Sequence, residues 1–210
     1  PQSDFRGISM AQRLQTYNAL QRVTAPTTTP ITLSEAKALL RVEGPDDDVL
    51  MMRLINVATA YTDAKGALGQ AMITQTWAQW MGPNPTQSIR LMLGPVQSIS
   101  AVKYYDVDGA LQTDVIGNYQ VFGTDFAKTI EPKSGKSWPV AQDRSDAIAV
   151  EYVTGYGDAE TDVPDTIRHA MMLMVGHWYD NREQTGFDEL SNIPFGYEAL
   201  LNMHRDSWYG

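Results

Sequence analysis

Asp46-Asp47-Asp48-Val49-Leu50-Met51-Met52-Arg53-Leu54-Ile55-Asn56-Val57-Ala58-Thr59-Ala60-Tyr61, followed shortly by Ile73-Thr74-Gln75-Thr76-Trp77-Ala78-Gln79-Trp80, is the stretch on which the fold turns. In its first half Leu50, Met51, Leu54, Ile55, Ala58 and Tyr61 recur every three or four residues, the period of one helix face. Three acids stand ahead of them, where a helix N-terminus favours negative charge. This helix is expected to end near Gly66 to Gly69. From Met72 the pattern changes to β-branched and aromatic runs broken by turn residues, so the chain switches from helix to sheet.

Working outward, the stretch is preceded by Thr32-Leu33-Ser34-Glu35-Ala36-Lys37-Ala38-Leu39-Leu40. Thr32 or Ser34 can cap a short helix that buries Leu33, Ala36, Leu39 and Leu40. Before it, Thr24 to Pro30 is a Pro/Thr run that cannot extend a helix, which points to residues 1–30 as a mobile arm and linker with a short helix at Ala11 to Leu20. After the switch, strands are expected at Ile73 to Trp80, Ile89 to Leu93, Ile99 to Tyr105, Tyr119 to Phe122 and Ala147 to Tyr152. Gly82-Pro83-Asn84-Pro85, Gly94-Pro95 and Asp106-Val107-Asp108-Gly109 serve as turns. Val163-Pro164-Asp165 then restarts a helix whose stripe is Ile167, Ala170, Met171, Met174, Val175 and Trp178. A polar loop from Gln184 to Asn192 leads to a short last helix over Pro194 to Met203.

The expected class is therefore α+β: a helical bundle, two helices before and two after, with an inserted small antiparallel β region. Residues 31–70 and 163–210 form the helical core, and 71–162 the β-rich insert.

With 43% hydrophobic residues in 210, the chain can bury a core. No run of about 18 apolar residues spans a membrane, and Pro1 to Met10 carries Asp4 and Arg6 where a signal peptide needs an apolar stretch, so a soluble, non-secreted protein is expected. Cysteine is absent, which excludes disulfides, thiolate metal sites and cysteine nucleophiles. A net charge of -9 argues against gripping nucleic acid through its phosphates.

The motifs that suggest chemistry are incomplete. Ser134-Gly135-Lys136-Ser137 ends like a phosphate-binding loop, yet Ile130 stands where that loop needs glycine, and Trp138-Pro139 replaces the helix that should follow. Asp106-Val107-Asp108-Gly109 lacks the remaining ligands of a calcium loop and reads as a hairpin turn. His169, His177 and His204 offer no pair at the spacing by which one helix face chelates zinc. No Gly-x-Ser-x-Gly is present, and nothing in the sequence groups a Ser, a His and an Asp. Catalytic, cofactor and metal residues are accordingly expected to be none. The C-terminal segment is different: Phe195, Tyr197, Leu200, Leu201, Trp208 and Tyr209 crowd a short terminal stretch and are candidates for a partner interface. The competing reading of that segment is a fourth bundle helix packed on Met171 and Trp178.

Six stretches, in order along the chain, carry a resemblance to a known pattern. They are Thr32 to Val42 with Asp46-Asp47-Asp48; Ile73 to Trp77; Leu93 to Ser98 with Val102 to Asp106; Val153-Thr154-Gly155-Tyr156-Gly157-Asp158; Val163 to Arg168; and His177-Trp178-Tyr179-Asp180-Asn181-Arg182. Together they resemble the head-tail connector (adaptor) family of tailed phages, in its longer form with a β-insert; the arm before Pro30 departs from that pattern. The resemblance implies a non-enzymatic structural subunit in a homo-oligomeric ring, commonly about twelve-fold. Its partners would be the portal protein and a tail or stopper protein, with genome DNA passing through without sequence-specific binding. It further implies the neck of a virion or gene transfer agent, reached from the host cytoplasm during assembly. Two rivals stay open: another neck or tail component, such as a tail terminator or completion protein, and a ligand-binding module using Trp77, Trp80, Tyr104 and Tyr105. Alternation along the strand sends Trp77 and Trp80 to opposite faces, against a single stacking platform.

Overall fold

The computed structural model describes residues 19–85, 88–181 and 195–205. Within them the fold is α+β, with helices α1 (Leu33–Leu40), α2 (Asp48–Thr62), α3 (Asp165–Asp180) and α4 (Phe195–Asn202). The strands are β1 (Ala19–Thr24), β2 (Gln75–Met81), β3 (Ile89–Arg90), β4 (Val96–Tyr105), β5 (Leu111–Asp114), β6 (Tyr119–Phe122), β7 (Thr129–Pro132) and β8 (Ile148–Thr154). The chain divides into two units: unit 1 comprises Pro1–Ala25 and Gln75–Thr154, unit 2 Pro26–Thr74 and Gly155–Gly210.

Unit 1 holds all the strands found among the described residues. A five-stranded antiparallel sheet runs β1-β2-β8-β4-β5, and a three-stranded one runs β3-β7-β6. The central strand β8 and its neighbour β2 are the most buried of the larger sheet: Ile148, Ala149, Val150 and Tyr152 of β8 are fully buried, and Trp77 and Ala78 of β2 nearly so. Gln79 sits fully buried in β2 because it bridges to the adjoining chain, donating to the Arg90 carbonyl at 3.0 Å and accepting from the Met92 N–H at 3.0 Å. Tyr152 likewise accepts from the Leu93 N–H at 3.3 Å, and Thr154 donates to the Pro95 carbonyl at 2.8 Å.

One expectation changes here. Ala19 and Leu20, which the sequence placed at the end of a short helix, begin strand β1, and Ala19–Thr24 pairs with β2 from Trp80 to Thr76. The arginine of this segment supplies the reason: Arg22 lies opposite Trp77 with its guanidinium carbon 4.9 Å from the ring centroid, and Gln21 accepts from the Trp80 indole N–H at 3.1 Å. Two further strands, β5 and β7, are short and carry Gln, Asp, Glu and Pro, which hid them from an alternation count.

Unit 2 holds the helices. Thr32 caps α1 with a full capping box: its hydroxyl accepts from the Glu35 N–H at 3.2 Å, while the Glu35 carboxylate accepts from the Thr32 N–H at 2.9 Å. Of the expected buried set, Ala36 is buried, Leu33 and Leu40 are half-buried, and Leu39 is exposed. Helix α2 ends at Thr62, earlier than its glycines suggested, because the chain folds back over its last turn. Ala67 N–H donates to the Tyr61 carbonyl at 2.7 Å, and a Cβ on Gly66 would lie 2.2 Å from that same oxygen. The core is Met51, Ile55 and Ala58 of α2, Ile167, Ala170, Met171, Met174 and Val175 of α3, and Tyr197 and Leu201 of α4, with Ile31, Ala36, Leu68, Met72, Ile73 and Val163. Trp178 packs against it half-buried. Where the chain re-enters unit 2, Gly155 has φ of 134° and a Cβ there would meet the Ile73 carbonyl carbon at 2.6 Å, so only glycine fits.

Candidate functional site

Each motif examined for chemistry resolves into a structural element. Asp106 closes the β4–β5 hairpin by accepting from the N–H groups of Asp108 (3.1 Å) and Ala110 (2.9 Å) and from the Gln112 amide (2.8 Å). The Gln112 bond first, then the Ala110 N–H, holds its carboxyl below the usual range. Gly109, at φ of 84°, takes the left-handed turn position. The acids before α2 are engaged by unit 2 itself: Asp47 accepts from the Tyr179 hydroxyl, and Asp48 pairs with Lys37 at 2.5 Å. Ser134 to Ser137 belong to a loop that, with Gln120 and Trp138, lines an open depression of about 570 Å³. His204 meets the Thr166 hydroxyl, and His169 is exposed. Among the described residues no three His, Asp or Glu side chains are placed to hold a metal ion, and no helix is long and apolar enough to cross a membrane.

The aromatic residues of the insert are separated as strand alternation requires. Trp77 is buried under Arg22, whereas Trp80 stacks on Tyr105 at 5.9 Å and 25°, with the Arg144 guanidinium carbon 3.8 Å from the Tyr105 ring. Both faces are thus occupied by the unit's own side chains.

The strongest polar constellation lies in unit 2 around Arg168. Its guanidinium is buried and donates to the Pro30 carbonyl at 3.1 Å, to Asp165 at 3.1 Å and to Glu35. Burial acts to raise the Glu35 carboxyl, but the Thr32 N–H, Arg168 and the Thr32 hydroxyl outweigh it and hold the pKa below its ordinary value. These bonds tie the end of the Pro/Thr linker, the start of α1 and the first turn of α3 to one cation. The arrangement fastens three segments and leaves no open face for a substrate.

Of the partner-interface candidates, Tyr197 and Leu201 are fully buried inside unit 2, and Leu200 packs half-buried against the same core. The Tyr197 hydroxyl is 3.0 Å from that of Thr62, its ring centroid is 5.9 Å from that of Tyr61, and burial pushes its pKa to about 12. Phe195 opens α4, and Trp208 and Tyr209 lie outside the described residues. The candidates are thus divided: two are core residues, fixed by their spacing on the inward face of α4.

What the sequence reading missed is the exposed side of α2. Val49 is 75% exposed, Val57 48% and Met52 38%, on the face opposite Met51, Ile55 and Ala58. The signal was present as a second apolar stripe, hidden because the first sufficed to explain the helix. Charge is also unevenly divided. Unit 1 contains nine Lys and Arg against nine Asp and Glu, while unit 2 has seven against sixteen, so the whole excess of -9 belongs to unit 2.

No family model and no curated protein matches the sequence. Among solved structures, a chain in the neck of an empty GTA particle computed with C6 symmetry is similar, with a TM-score of 0.72, at 18% identity, covering 89% of this chain and 95% of that one. A chain in the virion of a native gene transfer agent (GTA) particle gives a TM-score of 0.71 at 19% identity, over 89% and 94%. A chain in the neck of a native GTA particle computed with C12 symmetry gives 0.66 at 16% identity, over the same shares. At these identities the likeness is one of fold, and it extends through both the helical and the β-rich unit: this chain has the fold of chains found in gene transfer agent particles.

Proposed function

We propose that this protein is a structural component of the neck of a tailed-phage-like or gene-transfer-agent-like particle, specifically a head-tail connector subunit that forms a ring between the portal protein and a tail or stopper protein. The observation that carries the reading is the likeness of fold over 89% of this chain to chains of particle necks, nearly the whole of which it covers. The four helices around one core favour a connector over a tail terminator, for which a β-dominated fold would be expected. The six ordered stretches that resemble the connector family point the same way.

In this reading the protein works as a bearing and joint, without catalysis or cofactor, and resides in the virion after assembly in the host cytoplasm. Unit 2, which contains the helical core of residues 31–70 and 163–210 and carries the acidic excess, forms the channel wall. A surface of that sign repels DNA phosphates and lets a duplex slide without sticking. Unit 1, which takes in most of the insert of residues 71–162 together with β1 and balances nine cations against nine acids, is left for contacts with protein. The C-terminal segment is held to the subunit by Tyr197 and Leu201, and Phe195, Leu200, Trp208 and Tyr209 provide its docking side chains toward portal or tail.

Imaging the protein mixed with the portal of the same particle tests the reading. A ring of this protein seated on the portal is expected. Absence of any ring at saturating protein would overturn the connector assignment, and a ring seated only on tail tubes would transfer it to a terminator.

A further inference from the structure

A closed ring of identical subunits needs two different faces on each copy, one meeting the other on its neighbour. Exposed apolar side chains mark one such face in each unit. On α2, positions 49, 52, 53, 56, 57 and 60 share the side turned away from the core, and all are exposed. Four of the six are apolar, where the outward face of a surface helix is ordinarily polar. The one charge among them, Arg53, forms no ion pair with any described residue. In unit 1 the β4–β5 hairpin exposes Val107 (67%) and Leu111 (50%), and between them the Asp108 carboxylate has no ion-pair partner among the described residues.

We infer that the outer face of α2 on one copy of this chain receives the β4–β5 hairpin of a second copy, with Arg53 and Asp108 paired across the contact. The inference rests on the ring proposed above and names its faces. The match is one of charge and of character: a lone cation within an apolar stripe meets a lone anion between two exposed apolar residues. Pairing helical unit with helical unit would bring two surfaces of net -9 together, whereas the β-rich unit carries no net charge to oppose the approach. The hairpin is suited to insertion because Asp106 fixes its turn from within, which leaves Asp108 free to face outward. The contact is heterologous, so it propagates from copy to copy and closes only when the ring is complete.

Charge exchange tests the pairing on the full chain with portal present. Arg53→Asp and Asp108→Arg should each raise the protein concentration needed for rings by about tenfold or more, and the double exchange should recover most of the loss. Because both positions are exposed, melting curves of all three variants should match the parent. Since the chain has no cysteine, Val57→Cys combined with Val107→Cys supplies a second readout. Oxidation should give a ladder of dimers, trimers and higher species, while either single variant should remain uncross-linked. Rings formed equally well by the single charge variants would overturn the inference and leave the connector reading standing. So would a double exchange that recovers nothing, or a dimer formed by Val57→Cys alone. Absence of rings from the parent protein would instead overturn the connector reading.

Discussion

The two units differ in whether they bury charge. In unit 1 the buried polar side chains are Gln75, Gln79 and Thr154, all uncharged, while unit 2 buries the charged Arg168 and Asp63 beside Thr62 and Gln70. The uncharged groups of unit 1 finish hydrogen bonds that neighbouring strands leave open, as Gln79 does for Arg90 and Met92. In unit 2 Arg168 fastens segments distant in sequence, bonding Pro30 and Glu35 as well as Asp165 of its own helix, and Asp63 accepts from the Met72 N–H at 2.8 Å. In this unit of many carboxylates one cation, Arg168, stands where several segments meet. The lesson is that the Arg168 cluster of unit 2 should respond to pH through Glu35, whereas the buried amides of unit 1 should not, although both belong to one chain.

The sharpest way to break that comparison is to remove residues 195–210. Unit 2 then loses the burial of Tyr197 and Leu201, about 1.5–3 kcal/mol for each large apolar side chain, from a domain stable by roughly 5–15 kcal/mol. The helical signal in far-ultraviolet dichroism should melt at much lower temperature, with the strand signal retained. An unchanged helical transition would mean that α4 contributes no stability to unit 2.

Next in size is Arg168→Met, expected to cost about 3 kcal/mol because Glu35 and the Pro30 carbonyl lose their cation. Its counterpart in unit 1, Gln79→Leu, should cost about 2 kcal/mol by leaving the Met92 N–H and Arg90 carbonyl unpaired. The two losses differ in their dependence on acid. Glu35 has a folded pKa below its ordinary 4.5, so its stabilisation is complete above about that pH and disappears as pH falls through the lower folded value. Denaturant titrations at a series of pH values should therefore show the Arg168→Met penalty shrinking below about pH 4.5 while the Gln79→Leu penalty stays level. Parallel profiles would refute the contrast.

Smaller effects sharpen it further. Tyr197→Phe removes only the bond to the Thr62 hydroxyl and should cost about 1 kcal/mol with no pH dependence below neutrality. Arg22→Ala should cost about 0.5–1 kcal/mol by uncovering Trp77, and the indole's emission should shift to the red as water reaches it. If the emission is unmoved, β1 holds its place without the cation.

Much of this was legible in the sequence where periodicity was strong. The inward stripes of α2 and α3, the capping of α1 by Thr32 and the hairpin at Asp106 to Gly109 are all local patterns, and local patterns survive folding. Strand β1 was not legible, because what makes Ala19–Thr24 a strand is its pairing with β2, more than 50 residues away. The Arg168 cluster was equally hidden: Pro30, Glu35 and Arg168 share no spacing that a pattern could reveal. Among the interface candidates, apolar character marked Tyr197 and Leu201 but could not say which way they turned. Their separation by four residues put them on one helix face, and the tertiary fold turned that face inward.

The register of β2 with β8 carries a consequence for how the chain acquires its structure. Gln75 lies opposite Thr154, so the first and last residues of the long segment of unit 1 are cross-strand neighbours. The two pieces of unit 2 resume at Thr74 and Gly155, immediately beyond that pair. Once β2 and β8 have zipped, those pieces are tethered as if by a short hairpin, and the entropy of closing an 80-residue loop, roughly 4 kcal/mol by the logarithmic law, has already been overcome. The β-rich insert is in this sense a clasp for the helices: a lesion that unzips β2 from β8 would slow the assembly of the helical core without altering a single contact within it.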